Sequence, residues 1–197
     1  MKLNKIAEIP FVYDFIQWVF GRQIIDNILE KAYEKMNISP DARILDLGGG
    51  TGLNRPLVKN INKYICLDLD FKKLRKSQAK KEKIDQVLAD AIRIPLKENS
   101  IDLLLLTAVT HHISDELLPG LLSEVHRVLT PGGQFLLYDP IYLRNNVLGT
   151  FFWKFDSGTY PRTKLDLLYY LSIFFIPNDI IEKKIIHSYL FFSGVRK

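Results

Sequence analysis

The stretch ILDLGGGTG, Ile44 to Gly52, holds the residues best suited to bring a backbone against a ligand. A short apolar run ends in Asp46, and glycines follow at 48, 49, 50 and 52. Lacking Cβ atoms, such a loop lets a bound molecule approach its backbone closely. The spacing narrows the molecule. A dinucleotide loop needs G-x-G-x-x-G, and the place of its last glycine is taken by Leu53. No Gly-Lys-Ser/Thr follows, which argues against a triphosphate cradle. Carboxylates recur downstream. Asp68 stands about twenty residues past the loop, where an acid can accept hydrogen bonds from both hydroxyls of a ribose. Asp90, in LADAIRIPL, can accept from the exocyclic amine of a purine, or can simply form a turn. Asp70 reads as a helix cap. Thr107, His111, His112, Asp139 and Tyr142 complete the polar set.

These residues need elements to hold them. From Arg43 onward, short apolar runs alternate with helical patterns. The expected strands are 44–47, 64–69, 86–89, 101–106 and 134–138, the fourth continuously apolar as a strand buried on both faces should be. A basic helix follows the second strand. An amphipathic helix over 115–129 ends at Pro131-Gly132-Gly133, read as a turn. Strand–helix repetition implies a doubly wound α/β fold: a mostly parallel sheet with helices on both faces. Ligands in such sheets sit at the carboxyl ends of the strands, so the chemistry is expected just after residues 47, 68, 89, 106 and 138. Upstream, Ile24, Ile25, Ile28, Leu29, Ala32 and Met36 form one apolar stripe at helical spacing. The earlier segment, 11–20, is apolar on most sides and must be covered on most sides or face something greasy.

Composition bounds the rest. A chain of 197 residues is long enough for one domain with a sizeable core. The longest nearly uncharged apolar run in the C-terminal third, 167–177, is too short to span a bilayer. Asp14 and Gln17 interrupt the N-terminal apolar stretch, so no secretion signal is expected. The single Cys66 allows no internal disulfide and fits a reducing, cytoplasmic setting. No Cys/His spacing resembles a zinc site, and no metal is expected. The net charge is +5, much of it in FKKLRKSQAKKEK, where seven Lys or Arg meet one Glu. A solvated helix face is the preferred reading, and contact with an anionic membrane or nucleic-acid surface is the sharper one.

Four motifs in order resemble the class I S-adenosylmethionine-dependent methyltransferases, in particular the quinone-biosynthesis and small-molecule group. They are ILDLGGGTG, CLDLDFKKL, LADAIRIPLKENSIDLLLLTAVTHHI and SEVHRVLTPGGQFLLYDP, and they cover roughly residues 41 to 140. The resemblance implies a seven-stranded Rossmann-like sheet with an antiparallel C-terminal strand, and S-adenosyl-L-methionine as methyl donor, leaving S-adenosyl-L-homocysteine. It implies that Gly48, Gly50 and Gly52, with Gly49 beside them, pack against the donor's methionine part. By the same resemblance Asp46 orients its amino group, often through water. Asp68, followed by Leu69, binds the ribose. Asp90 meets the adenine amine with Ala91 as backbone partner, and the Thr107 carbonyl meets the methionine portion. Gly49 stands where the family commonly has Cys, Ser or Ala. One domain over 1–197 is expected, with a helical cap (1–40), a cofactor-binding core (41–140), a substrate-side insert (141–179) and C-terminal strands (180–197).

A sulfonium methyl is already activated, so the protein has mainly to align a nucleophile and exclude water. A general base is needed only for an acceptor protonated at working pH. His111, His112, Asp139 and Tyr142 are the candidates, with His112 preferred as structural or pocket-closing. The acceptor must be read outside the shared core. Aromatic residues gather at 151–155 and at Tyr169, Tyr170, Phe174 and Phe175, where they extend the core or form an apolar pocket with the 11–20 helix. Phe11, Phe15, Trp153 and Tyr160 are the substrate-side candidates, and Arg162 could hold an acidic group. The expectation is a cytoplasmic enzyme acting on a small, hydrophobic or lipid-like acceptor, with peripheral membrane contact left open. Nucleic-acid or protein methylation is an alternative. TAVTHH lacks the Asn/Asp-Pro-Pro-aromatic motif used on exocyclic amines, and Cys66 inside a strand offers no nucleophile. A non-catalytic cofactor-binding protein is the alternative of another class.

Overall fold

The structure, a computed structural model, describes residues 21–78, 84–143, 160–185 and 188–197. The elements run α1 (Arg22–Lys35), β1 (Arg43–Leu47), β2 (Lys63–Asp68), α2 (Phe71–Gln78), β3 (Asp85–Leu88) and β4 (Ile101–Thr107). They continue with α3 (Leu118–Val128), β5 (Leu129–Ile141), α4 (Lys164–Phe174), β6 (Phe175–Lys184) and β7 (Ser188–Arg196). The seven strands form one sheet in the order β3-β2-β1-β4-β5-β7-β6. Strands β1 to β5 pair in parallel, and β7 runs antiparallel to both β5 and β6. The chain steps from β1 outward to β3 and then returns to the other side of β1. A crevice opens where that order reverses, beyond the ends of β1 and β4.

The two-residue period of each strand sorts side chains onto two cores. Leu45, Leu47, Leu104, Leu106, Phe135 and Leu137 face the layer that holds α3 and α4. Ile44, Tyr64, Cys66, Leu103, Leu105 and Leu136 face the other layer, where Ile25 and Leu29 of α1 and Leu74 of α2 cover them. Asp46 lies one step from Leu45 and Leu47, so the alternation sends it to the α1 side.

Three boundaries differ from expectation. β5 starts at Leu129, directly from α3, because Pro131-Gly132-Gly133 is a bulge rather than a break: Ile101 pairs with Leu129, and Leu103 pairs next with Gln134. α3 begins at Leu118, with the Ser114 carbonyl accepting from the Leu117 and Leu118 N–H groups. β6 begins at Phe175 rather than at Ile180. Its first side chain stacks on Phe135, with ring centroids 4.4 Å apart, which carries the chain from α4 straight into the sheet. The second aromatic group mostly extends the core: Phe175 is fully buried, Tyr170 and Phe174 pack against its cluster, and Tyr169 alone stays exposed. The 11–20 helix and the 151–155 aromatics lie outside the described residues. No helix among the described residues is long and apolar enough to cross a membrane.

Candidate functional site

A cavity of about 290 Å³ occupies the crevice. Its walls include Gly48 after β1, Asp68 and Leu69 after β2, and Asp90 and Ala91 after β3. Val109, His112 and Ile113 after β4 complete them, with Lys73 reaching over from α2. The glycine loop is shaped for this place. Gly48 and Gly50 have φ of +73° and +52°, the left-handed region that other residues seldom adopt. A Cβ at 48 would stand 2.4 Å from Val109 Cγ2. A Cβ at 50 would stand in the hollow between loop and acid, 3.5 Å from both Asp68 Oδ2 and Lys73 Cδ. The Gly48 and Gly49 N–H groups donate to the Leu67 carbonyl at 2.7 and 3.2 Å, which pins the loop to the end of β2.

The two carboxylates on the cavity are each half engaged. Asp68 Oδ1 accepts from the Asp70 N–H at 2.8 Å. Asp90 Oδ1 accepts from the Ile92 N–H at 3.1 Å, so this residue does form a turn while it lines the cavity. Asp70 caps α2, accepting from the Lys72 and Lys73 N–H groups.

Asp46 is placed differently from expectation. It is fully buried, and both of its oxygens are taken by the protein: Tyr64 Oη donates to Oδ2 at 2.6 Å and Asn54 Nδ2 to Oδ1 at 3.0 Å. The sheet explains this, since Asp46 pairs with Cys66 and thus sits diagonally beside Tyr64 on the α1 face. Burial pushes its carboxyl up from 3.8 to about 6, against the opposing pull of the Tyr64 and Asn54 hydrogen bonds and of the Arg22 charge. Burial, and then the charge of Asp46, push the Tyr64 phenol well up in turn. Asn54 Nδ2 also donates to Thr107 Oγ1 at 2.7 Å, so the Thr107 side chain belongs to this buried network rather than to the cavity. The Cys66 thiol lies in the same layer and points at the Gly50 carbonyl, 3.8 Å away.

The loop after β4 is held from below by Asp139. This fully buried carboxylate accepts from the Val109 and Thr110 N–H groups at 3.1 and 2.7 Å and from His111 Nδ1 at 2.6 Å. Ala108, at φ +54°, carries the turn into the loop. His111 is buried, and its ring lies 4.1 Å from that of His112, which is exposed on the cavity wall. Of the four candidates for proton transfer, His112 alone lines the cavity, Asp139 and His111 stand behind it, and Tyr142 donates its N–H to the Arg162 carbonyl at 2.7 Å. Arg162 does not present its charge to the cavity. Its Nε donates to Asp115 at 2.8 Å, its Nη1 to the Thr110 carbonyl at 2.7 Å and its Nη2 to the Ile113 carbonyl at 2.6 Å. Tyr160 is exposed, and its N–H donates to the His111 carbonyl at 3.0 Å. Phe11, Phe15 and Trp153 lie outside the described residues.

Sequence reasoning missed Asn54, Tyr64, Lys73, Val109 and Arg22. Only Lys73 had a local signal, one helical turn past the ribose acid. Arg22, at the start of α1, acts electrostatically on both Asp46 and Tyr138 and donates to the Leu53 carbonyl at 3.4 Å. Its Nε pairs with Asp26 at 2.7 Å.

A family model described as "Methyltransferase domain" matches residues 45–137, the span from β1 to β5. The mitochondrial arginine-hydroxylase NDUFAF5 of Danio rerio is 32% identical over 126 residues, covering 63% of this chain and 37% of that protein. A demethylmenaquinone methyltransferase of Mycobacterium sp. (strain KMS) is 24% identical over 127 residues, covering 64% of this chain and 54% of that protein. The chain therefore spans about half or less of the length of these curated relatives. Among solved structures, the PH0226 protein from Pyrococcus horikoshii OT3 superposes with a TM-score of 0.75 at 17% identity, covering 89% of this chain and 91% of its own. With its motifs in order on a sheet of this topology, residues 45–137 of the chain form a class I S-adenosylmethionine-dependent methyltransferase domain.

Proposed function

We propose that the protein transfers a methyl group from S-adenosylmethionine to a small, hydrophobic acceptor. The observation that carries the reading is a single cavity bounded by the glycine loop and by two separate carboxylates, Asp68 and Asp90. The space fits the cofactor: a Cβ at Gly50 would fill the hollow facing Asp68, and the volume is near the lower end of ligand pockets. Asp68 would accept the ribose hydroxyls and Asp90 the adenine amine, with Leu69, Ala91 and Ile113 available to flank the purine. Gly48 and the glycine loop behind it would hold the amino-acid end. When bound, S-adenosylmethionine supplies a methyl group already activated by a sulfonium. The chain's own task is orientation and exclusion of water. His112, on the wall and braced by His111 and Asp139, can take a proton from an acceptor that needs to lose one.

The hydrophobic acceptor is supported by distant relatives named for quinone and sterol methylation, the demethylmenaquinone methyltransferase and a sterol 24-C-methyltransferase of Gibberella zeae. The same reading makes this a cytoplasmic protein whose basic α2 rests on an anionic membrane face. Similar proteins also carry the names arginine-hydroxylase and [4+2]-cyclase, so a transferred label is the decisive observation.

Titration calorimetry with S-adenosylhomocysteine tests the site. The native chain binds, and Asp68→Ala weakens binding by about tenfold to a hundredfold, the loss of hydrogen bonds to a charged acceptor. Equal affinity in the variant would remove Asp68 from the site. A labelled-methyl assay over lipid and quinone extracts tests the reaction. Binding without any labelled product would instead favour a non-catalytic role.

A further inference from the structure

The Arg162 guanidinium is an odd choice for stability. Its side chain is 5% exposed, while its one carboxylate partner among the described residues, Asp115, is 68% exposed. A buried charge whose counter-ion sits in water gains little from the pair and bears most of the desolvation cost. What the guanidinium offers instead is a rigid fork of donors. Two prongs grip the carbonyls of Thr110 and Ile113, on either side of His111 and His112. The residues that lead into that turn have their N–H groups fixed from beneath, with Val109 and Thr110 donating to Asp139. Asp139 thus holds the donors of this loop and Arg162 its acceptors. Between these two clamps the loop presents Val109, His112 and Ile113 to the cavity, after a left-handed Ala108 that has no intrinsic preference for its conformation.

We propose that Arg162 is a positioning residue for the cofactor cavity: by clamping the Thr110 and Ile113 carbonyls it sets the wall that closes over the bound nucleoside. The proposal rests on the cavity being the S-adenosylmethionine site. It also gives the post-β5 segment a second task. Residues 160–162 return to the core along the loop after β4, with the Tyr160 N–H on the His111 carbonyl and the Tyr142 N–H on the Arg162 carbonyl. The segment that ends at Arg162 therefore bears on the cofactor wall through its backbone and one side chain.

The test reads S-adenosylhomocysteine affinity and thermal midpoint together. Arg162→Ala should weaken binding by about tenfold. Arg162→Lys keeps the charge but not the fork and should weaken it by about fivefold. A second cavity of about 550 Å³, bounded by Asp115, Pro161, Asp166 and Tyr169, opens onto Arg162 from outside. Millimolar methylguanidine can enter there, and it should restore most of the affinity lost in Arg162→Ala. Arg196 grips the Leu129 carbonyl at the opposite end of the sheet. Arg196→Ala is the control: it should lower the thermal midpoint and leave affinity unchanged. Binding by the Arg162→Lys protein within twofold of native would overturn the proposal, and this variant keeps the test valid if Arg162→Ala does not fold. So would methylguanidine that raises the midpoint of Arg162→Ala without restoring its affinity. Absence of binding by the native chain would overturn the reading of the cavity itself, a separate outcome.

Discussion

At position 49 a methyl group would stand 2.4 Å from Asp46 Oδ2 and 2.8 Å from Cys66 Sγ. Glycine is required here because the acid beneath it has turned into the protein, and Tyr64 holds it there. The residue that commonly fills this place in the family would collide with that arrangement. Gly49→Ala is expected to destabilise the chain by about 2 kcal/mol, the scale of overpacking in a closed core. In a Tyr64→Phe background the carboxylate is released to swing aside, and the cost of the same alanine should fall by at least half. Urea unfolding of the two single variants and the double variant measures this coupling. Equal costs in both backgrounds would show that Tyr64 does not hold the acid in place. Asp68 and Asp90, by contrast, keep capacity on the cavity side although each also shapes its own turn.

Among the elements, α2 is the most unusual in what it exposes. Lys72, Arg75 and Lys76 face solvent, and the exposed apolar side chain of Phe71 stands at its start. Basic residues beside a bare apolar one suit an anionic bilayer. Co-sedimentation with vesicles containing phosphatidylserine should be measurable at low salt and fall by about tenfold in a Lys72→Glu, Lys76→Glu variant. Native protein left in the supernatant at low salt would return α2 to the role of a solvated helix. The elements also show what a sequence makes visible. β1, β2 and β4 were legible because buried parallel strands are short, apolar and punctuated by Gly and Asp. α4 was not, because Leu165, Tyr169 and Ile173 are exposed while Leu167 and Leu171 are buried, so no polar face marks its period. The glycine loop, Asp68 and Asp90 were legible from local spacing. Asn54–Thr107 and Arg162–Thr110 were not, since each joins residues about fifty positions apart that only the finished sheet brings together.

For the molecule as a whole, the sheet is the structural divide, with one core on each face, and Asp46 is a titrating group sealed into the core under α1. Its carboxyl is raised in the folded state, so the native protein binds its proton more tightly than the unfolded chain does. The stabilising contribution is full below about pH 4 and is lost as pH rises through about 6. The expected size is on the order of 3 kcal/mol across that window. Urea titrations at pH 4.5 and 7 should show the decline, and Asp46→Asn should flatten it; an unchanged slope in the variant would assign the dependence to other groups. The chain's one cysteine gives the molecule a further property. Its sulfur lies beneath the glycine loop, so a thiol reagent can reach it only when that region lifts. The labelling rate then acts as a clock for opening, read without knowing any acceptor. Added S-adenosylhomocysteine should slow the clock in proportion to the fraction of protein bound, whereas fast labelling at an unchanged rate would mean that the loop does not guard the thiol. A single buried atom thus makes breathing of the ligand site countable in the untouched, native chain.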